Sequence, residues 1–175
     1  MTKRLDRDFF DRPAEIVAPE LLGKFLVRNF SDGFRQEGMI TEVEAYVGTG
    51  DLASHAAGGR RTKRNEIMYG PPGRAYVYFT YGMHWLLNLV TSRVNDPQAV
   101  LIRGLDSVSG PARLTKLFRI DKELNGEDLV KSETLWLEDR GTKIPPGTIE
   151  RTPRVGVGYA GEWKNKPLRF VVNRR

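Results

Sequence analysis

One nine-residue stretch, Ile40–Gly48, constrains the fold more than any other part of the sequence. Its β-branched and aromatic residues alternate with acids, which predicts a short strand with two different faces. A period of two places Val43 and Ala45 on an apolar face that packs on the core, and Glu44 and Tyr46 on the other face. A carboxylate beside an aromatic ring can act as a general base next to a planar ligand. Taken alone, the strand is more simply interpreted as a solvated acidic face, and only the rest of the chain changes that interpretation.

The composition is that of a globular protein without disulfides. The chain has 175 residues, 39% of them hydrophobic and 29% charged, which suits a single domain over residues 1–175. It contains no cysteine, so disulfides and thiolate metal sites are excluded and a reducing cytoplasm fits. No apolar run is long enough to cross a bilayer, and the charged start is unlike a signal peptide. We therefore expect a cytoplasmic protein with no membrane contact.

An excess of basic residues suggests a polyanionic partner. The net charge is +6, from 28 Lys and Arg against 22 Asp and Glu. Basic residues cluster at 60–64, 113–119 and 169–175. Each cluster alone could be a solvated face. Their alternation with aromatic-rich segments favours a groove that binds nucleic acid.

The order of predicted elements indicates strands joined as hairpins, together with a few short helices. A strand at 24–29, a turn at 31–33 and a strand from about Arg35 into the opening stretch predict a first hairpin. The segment 74–90 predicts a second hairpin that turns at Tyr81 and Gly82. Further strands are predicted at 99–103, 134–138 and 168–172, and helices at 13–22 and from Ser109, as the cap, to about Arg119.

Two features suggest a site for a base taken out of a duplex. The loop 48–73 holds His55, and long ordered loops in compact domains are usually functional. Tyr81 falls at a hairpin tip, where it either folds back onto the core or forms a wedge of the kind that kinks DNA. A duplex hides its glycosidic bonds, so an enzyme has to extrude the nucleotide. Stacking of the base between Tyr46 and His55, with Tyr78 at the edge, would offset that cost.

With these residues in place, the sequence resembles the alkyladenine (3-methyladenine) DNA glycosylases, from about Leu21 to Val172. The motifs that carry the resemblance occur in the same order along the chain. They are Glu42-Val43-Glu44-Ala45-Tyr46, Ser54-His55-Ala56 with Gly58-Gly59-Arg60, Tyr76-Val77-Tyr78, Tyr81-Gly82-Met83, Leu101-Ile102-Arg103, Ser109-Gly110-Pro111, and Arg154-Val155-Gly156-Val157-Gly158 with Gly161-Glu162-Trp163.

The resemblance implies roles for the residues of the catalytic centre. Glu44 matches the base that activates the water attacking C1′ of the damaged nucleotide, and Arg103 matches the arginine that orients this water and contacts a phosphate. Tyr46 and His55 match the pair that stacks on the two faces of the flipped base. Tyr78 matches the tyrosine at the pocket edge.

The resemblance also implies how the enzyme selects its substrate and holds DNA. Asn88 matches the asparagine that crowds out guanine through its exocyclic amine, and Tyr81 matches the wedge that fills the vacated stack. We expect the DNA backbone to be contacted by the cations of the first basic cluster, Arg60, Arg61, Lys63 and Arg64.

The family resemblance implies an α+β fold: a single domain with a curved antiparallel sheet, flanking short helices and a protruding hairpin. It implies no metal and no cofactor. The expected partner is double-stranded DNA that contains damaged purines, of the 3-methyladenine, 7-methylguanine, hypoxanthine and ethenoadenine class. We expect a monomer that works in the cytoplasm, at the nucleoid of a bacterium.

Three other functions remain open at this point. A non-catalytic nucleic-acid-binding domain would use the aromatic residues for stacking and leave Glu44 incidental. An RNA-binding appendage of a transferase would have no pocket around Glu44. A glycosidase for free nucleosides would leave the wedge and the basic clusters without a purpose.

Overall fold

The structure of the protein, a computed structural model, describes residues 1–173. This part of the chain forms an α+β fold in which a curled antiparallel sheet is flanked by short helices, as expected. The strands are β1 (Lys3–Arg4), β2 (Phe25–Asn29), β3 (Arg35–Tyr46), β4 (Ala75–Thr80), β5 (His84–Thr91), β6 (Gln98–Leu105), β7 (Leu135–Asp139), β8 (Ile149–Thr152) and β9 (Arg169–Val172). The α-helices are α1 (Arg7–Phe10), α2 (Ala14–Leu21) and α3 (Pro111–Leu117).

Strand β3 joins the two parts of the sheet. The sheet order is β1-β7-β2-β3-β6-β5-β4, with β9 paired to both β3 and β8. The first half of β3 pairs with β2, as the predicted hairpin requires, and its second half lies between β6 and β9. The segment Glu42–Tyr46 therefore lies next to strands that are far away in sequence.

A β-bulge at Glu42 decides which side chains of β3 face the core. Thr41 is an extra residue of β3 between the pairs Ile40–Leu105 and Glu42–Gly104, and Arg103 is an extra residue of β6 between the pairs Glu42–Gly104 and Val43–Ile102. Ile40 and Val43 both lie in the same buried cluster although they are an odd number of residues apart. The extra residue Thr41 thus lets Ile40 and Val43 face the same side of the sheet, and Arg103 does the same for Ile102 and Leu105 on β6.

The apolar core lies on the face of β3 that carries Val43 and Ala45, as the alternation predicts. Both side chains are fully buried, and helices α2 and α3 pack against this part of the sheet. The opposite face carries Glu44, which is also fully buried. The alternative of a solvated acidic face is therefore wrong, because other segments cover this side of the strand as well.

The second predicted hairpin is confirmed, with its tip in the open. Strands β4 and β5 are closed by the pair Thr80 and His84, and the Met83 amide donates to the Thr80 carbonyl at 3.1 Å. Tyr81 has φ of 52° and Gly82 has φ of 63°. The Tyr81 side chain is 83% exposed, so it is not folded back onto the core.

Some boundaries differ from the predicted ones. Helix α3 begins at Pro111 and its cap is Gly110, with φ of 102°, and not Ser109. A left-handed backbone at this position suits glycine and disfavours a serine cap. The strands β1 and β8 and the helix α1 give no clear sequence signal because each has at most four residues.

We predict that Ile102→Ala destabilises the protein by about 2–5 kcal/mol, because it leaves a cavity in the central strand β6. Ile102 is fully buried, whereas Ile16 on helix α2 is 48% exposed. Ile16→Ala is the matched control and should change the free energy of unfolding by less than about 0.5 kcal/mol. Urea titration followed by circular dichroism measures both values. Equal effects would contradict this account of the core.

Candidate active site

A cleft of about 280 Å³ opens beside the hairpin β4–β5. It is lined by most of the residues that the sequence singles out, namely Glu44, Tyr46, His55, Tyr78, Tyr81 and Arg103. A recess of about 50 Å³ adjoins it, and the walls common to both are Tyr46, His55, Tyr78 and Tyr159. The fold therefore brings together one carboxylate, one guanidinium and several aromatic rings from separate segments.

The carboxylate of Glu44 is held by groups from three segments. Its Oε1 accepts a hydrogen bond from the Val155 amide at 2.7 Å, and its Oε2 accepts one from the Tyr46 hydroxyl at 2.9 Å. The Arg103 Nε lies 3.5 Å from Oε1. Each carboxylate oxygen can accept more than one hydrogen bond, so these contacts leave capacity for a water molecule.

Arg103 is fixed by a second acid on the same strand as Glu44. Its Nε donates to Glu42 Oε1 at 3.0 Å, and the same oxygen accepts from Arg169 Nε at 2.7 Å. Gly104, next along β6, allows this approach, because a Cβ there would lie 3.3 Å from the Glu42 Cβ. Glu42 therefore holds the Arg103 guanidinium next to Glu44. The sequence alone does not predict this role.

Burial and charge act in opposite directions on Glu44. Removal from water is the largest effect and raises the pKa of this carboxyl above its usual value. Arg103, the Val155 amide, the Tyr46 hydroxyl and Arg154 lower the pKa of Glu44 and partly offset that increase. The site therefore contains a carboxylate that can accept a proton and is stabilised in its charged form by specific neighbours.

Three aromatic side chains of the site form one packed group. The ring centroids of His55 and Tyr78 are 4.5 Å apart at an interplanar angle of 65°, and those of Tyr76 and Tyr78 are 5.4 Å apart. The His55 Nδ1 is 2.8 Å from the Tyr76 hydroxyl. Asn65 also fixes the loop, because its amide nitrogen donates to the His55 carbonyl at 3.0 Å. Tyr76 shares a face of β4 with Tyr78 and so orients the histidine ring.

His55 is kept neutral by its surroundings. Burial is the main cause that lowers its pKa, and the nearby Arg64 and Arg60 lower it further, to about 4. At neutral pH the imidazole is thus uncharged. An uncharged ring can stack on a positively charged base without electrostatic repulsion.

Asn88 lies at the recess. It is buried, and its amide nitrogen donates to the Tyr76 carbonyl at 3.2 Å across the hairpin. Tyr159, 72% exposed, also lines the recess and donates from its hydroxyl to the Ala53 carbonyl at 3.1 Å. The Asn88 side chain thus forms part of the wall of the recess.

The four cations predicted to contact the DNA backbone differ in their surroundings. Arg61 is paired with Glu66, with its Nε 2.9 Å from Oε2. Arg64 donates to the Phe79 carbonyl at 2.9 Å and so ties the loop to β4. Arg60 and Lys63 are exposed on the same loop.

Sequence reasoning missed the groups that support the carboxylate from behind. The Val155 amide donates to Glu44 from a residue 111 positions away. The preceding residue, Arg154, forms a fully buried ion pair with Asp51. The glycine-rich segment 154–161 signals backbone close to a surface or pocket, but no local pattern joins Arg154 to Asp51.

Comparison with known proteins gives the family. The model of the methylpurine-DNA glycosylase (MPG) family matches residues 8–109 and 105–175. The chain belongs to the methylpurine-DNA glycosylase family. A relative from Legionella pneumophila (strain Corby), named "Putative 3-methyladenine DNA glycosylase", is 44% identical over 97% of this chain and 94% of its own length. One of the same name from Clostridium botulinum (strain Loch Maree) is 39% identical over 97% and 95% of the two chains.

The family resemblance expected from the sequence motifs is thus confirmed, and this glycosylase is a hydrolase of DNA repair. Within residues 1–173, no group of three or more His, Asp or Glu side chains is placed to hold a metal ion. No helix in that part of the chain has the length and apolar character to cross a membrane.

We predict that the glycosylase shows a histidine with a pKa of about 4, assigned to His55, in an NMR titration of the imidazole carbons. The unfolded chain binds a proton at His55 near pH 6.5, so between pH 6.5 and about 4 the unfolded state carries more protons. His55 therefore contributes stability above pH 6.5 that is lost as the pH falls toward 4.

The variant His55→Gln removes this titration and is the control. Its melting temperature should fall less between pH 6.5 and 4 than that of the unmodified protein. A His55 resonance that titrates near 6.5 would contradict the buried, uncharged imidazole.

Proposed function

We propose that this glycosylase flips a damaged purine out of duplex DNA into the cleft and hydrolyses its N-glycosidic bond with a water activated by Glu44. The carboxylate takes a proton from water, the water oxygen bonds to C1′, and the base departs with the electrons of the C1′–N bond. The products are the free base and an abasic site. The observation that carries the proposal is Glu44 beside a cleft walled by Tyr46, His55 and Tyr78.

The electrostatics of the cleft suit an alkylated purine. A base such as 3-methyladenine or 7-methylguanine carries positive charge in the nucleotide and leaves as a neutral molecule. His55 is uncharged at neutral pH, and the tyrosine rings offer electron-rich faces to a cation. Hypoxanthine and ethenoadenine are neutral and need a proton on departure. We include them in the substrate class on the strength of the family resemblance alone.

Catalysis by Glu44 accounts for part of the rate. A general base contributes typically ~10²–10⁴-fold, so positioning and stabilisation of an oxocarbenium-like sugar supply the rest. In this proposal Arg103 orients the water and contacts a phosphate. Glu42 accepts a hydrogen bond from the Arg103 Nε and so fixes the plane of the guanidinium. The two Nη atoms therefore point in defined directions.

A basic groove next to the cleft supports duplex DNA as the substrate. It has a volume of about 450 Å³, lies between the hairpin tip and helix α3, and shares His84 and Ala112 with the cleft. Its wall carries Arg113, Lys116 and Arg119 against the single acid Asp121. These cations belong to the second basic cluster of the sequence, and phosphates that pass the cleft would continue along them.

The other basic clusters are placed differently. Arg60 and Lys63 of the first are exposed at the rim of the site loop. In the third, Arg169 is turned inward onto Glu42, and Arg174 and Arg175 of this predicted cluster lie outside the described residues. We propose that the glycosylase is one domain over residues 1–175, acts as a monomer and works on the DNA of the bacterial nucleoid.

We predict that Glu44→Gln abolishes base release but keeps affinity for damaged duplex DNA. The amide cannot accept the proton of the attacking water, so release should fall by at least about a hundredfold. Duplexes that carry each lesion are incubated with the protein and scored for abasic sites, while affinity is measured by fluorescence anisotropy.

The exposed Glu15→Gln on helix α2 is the control and should leave release unchanged. Unchanged release in Glu44→Gln would remove this carboxylate from the mechanism. Tight binding of lesions without release by the unmodified protein would favour the alternative, a non-catalytic damaged-DNA-binding domain.

We predict that Tyr81→Ser slows base release from duplex DNA by roughly fivefold to a hundredfold, because stacking worth ~1–3 kcal/mol per base is lost. The ring is 83% exposed, so the melting temperature should not change. A lesion in single-stranded DNA should be affected less, since no gap in a stack has to be filled.

Met83→Ser is the matched control, because Met83 lies at the same tip and is 67% exposed. If Met83→Ser slows the duplex reaction and Tyr81→Ser does not, Met83 is the wedge. Equal rates for both variants and the unmodified protein would show that the tip does not enter the duplex.

A further inference from the structure

A fully buried ion pair lies directly behind the cleft. Arg154 and Asp51 have no exposed side-chain surface, and two guanidinium nitrogens of Arg154 contact the two carboxylate oxygens of Asp51 at 2.5 and 2.8 Å. The Arg154 Nη1 also donates to the Ala45 carbonyl at 2.9 Å. The Asp51 carboxylate in turn accepts the amides of Val47 at 3.1 Å and Ala53 at 3.0 Å. One ion pair thus joins the end of β3, the site loop and the segment after β8.

Each segment held by the pair carries a group of the active site. Val155 follows Arg154, and its amide is the donor to Glu44 Oε1 at 2.7 Å. The Arg154 guanidinium carbon lies 4.7 Å from the centroid of the Tyr46 ring. A shift of Arg154 would therefore move both the amide on the carboxylate and the group that supports the proposed stacking ring.

A gain in stability does not explain why this ion pair is buried in the protein. Removing two charges from water is costly, and buried ion pairs are often replaced by apolar residues without loss of stability. Arg154 Nε is also buried without a hydrogen-bond partner, which adds to the cost. What the pair provides is geometry, since a planar guanidinium fixes a carboxylate at two points.

We propose that the Asp51–Arg154 ion pair is a positioning element of the glycosylase reaction, which holds the Val155 amide on Glu44 and the Tyr46 ring in place. This inference rests on the proposed function of Glu44 as the general base. Arg154 and Asp51 act through other groups and do not touch the reacting atoms.

The proposed role predicts that loss of the pair changes the ionisation of Glu44. The Val155 amide stabilises the charged carboxylate, so displacement of this amide raises the pKa of Glu44 further above its usual value. The acid limb of the pH–rate profile then moves to higher pH. The other charged or titratable groups that face Glu44 from neighbouring segments are Arg103 of β6 with its partner Glu42, Arg169 of β9, Tyr46 of β3, Tyr78 of β4 and Tyr159.

The deciding experiment is the single-turnover pH–rate profile of Arg154→Lys on a duplex that contains 7-methylguanine. This base is already cationic, so the acid limb reports the enzyme. Lysine keeps the charge but cannot bridge Asp51 at two points or lie flat on Tyr46. We expect the midpoint of the acid limb to shift to higher pH by roughly half a pH unit or more. The plateau rate should fall at least tenfold, because a 1 Å misplacement can cost on the order of a hundredfold.

Arg7→Lys is the matched control. Arg7 Nη2 contacts both carboxylate oxygens of Asp128, at 3.0 and 2.7 Å, and its Nη1 donates to the Pro72 carbonyl at 2.7 Å. Neither Arg7 nor Asp128 lines the cleft or the recess. Loss of Arg7 should lower the melting temperature and leave the acid limb in place. If Arg154→Lys also lowers only the melting temperature, the pair is structural and the inference is overturned.

Val155→Pro tests the same link without touching the ion pair, and it covers the case in which Arg154→Lys does not fold. Proline has no amide proton, Val155 is 50% exposed, and Gly156 after it has φ of 75°, as in a turn that favours proline at the preceding position. Its acid limb should rise as well, and an unmoved limb overturns the inference. If the unmodified protein releases no base at any pH, the proposed function fails instead.

Discussion

The site depends on how one buried carboxylate is kept charged. Glu44 has no contact with bulk water, which favours its neutral form, and Arg103, the Val155 amide and the Tyr46 hydroxyl favour the charged form. A carboxylate in water would be charged without help, but it would face a cleft too open to hold a base. Burial of Glu44 is thus a consequence of building an enclosed aromatic pocket, and the polar neighbours are needed to keep the carboxylate charged. The segment Glu42–Tyr46 contributes both to the pocket and to these polar contacts.

Much of the fold and many site residues could be predicted from short-range patterns. Alternation on β3 predicts the two faces around Glu44, and the run of aromatic residues with Tyr81 and Gly82 predicts the second hairpin and its tip. These predictions succeed because period-two patterning and turn residues act within a few positions along the chain. The expectation that Arg103 belongs to the same site comes from the family resemblance instead, and Arg103 and His55 do line one cleft.

What the sequence could not predict depends on long-range packing. Asp51 and Arg154 are 103 residues apart, and each resembles an ordinary surface residue until the fold brings them together. The role of Glu42 as the anchor of Arg103 also requires the pairing of β3 with β6. Serine is a frequent helix cap, so the sequence predicts Ser109 as the cap of helix α3, whereas the left-handed backbone of Gly110 is visible only in the structure.

The bulge on β3 lets one strand serve two parts of the sheet. Thr41 is the extra residue between Ile40 and Glu42, so the pairing with β2 before it and the orientation of Glu44 after it are independent of each other. A deletion of Thr41 would restore the regular alternation and leave Glu44 on the cleft side. An insertion between Val43 and Glu44 would instead turn the carboxylate toward the apolar interior. The strand therefore tolerates a change of length before Glu42 and none between Val43 and Glu44.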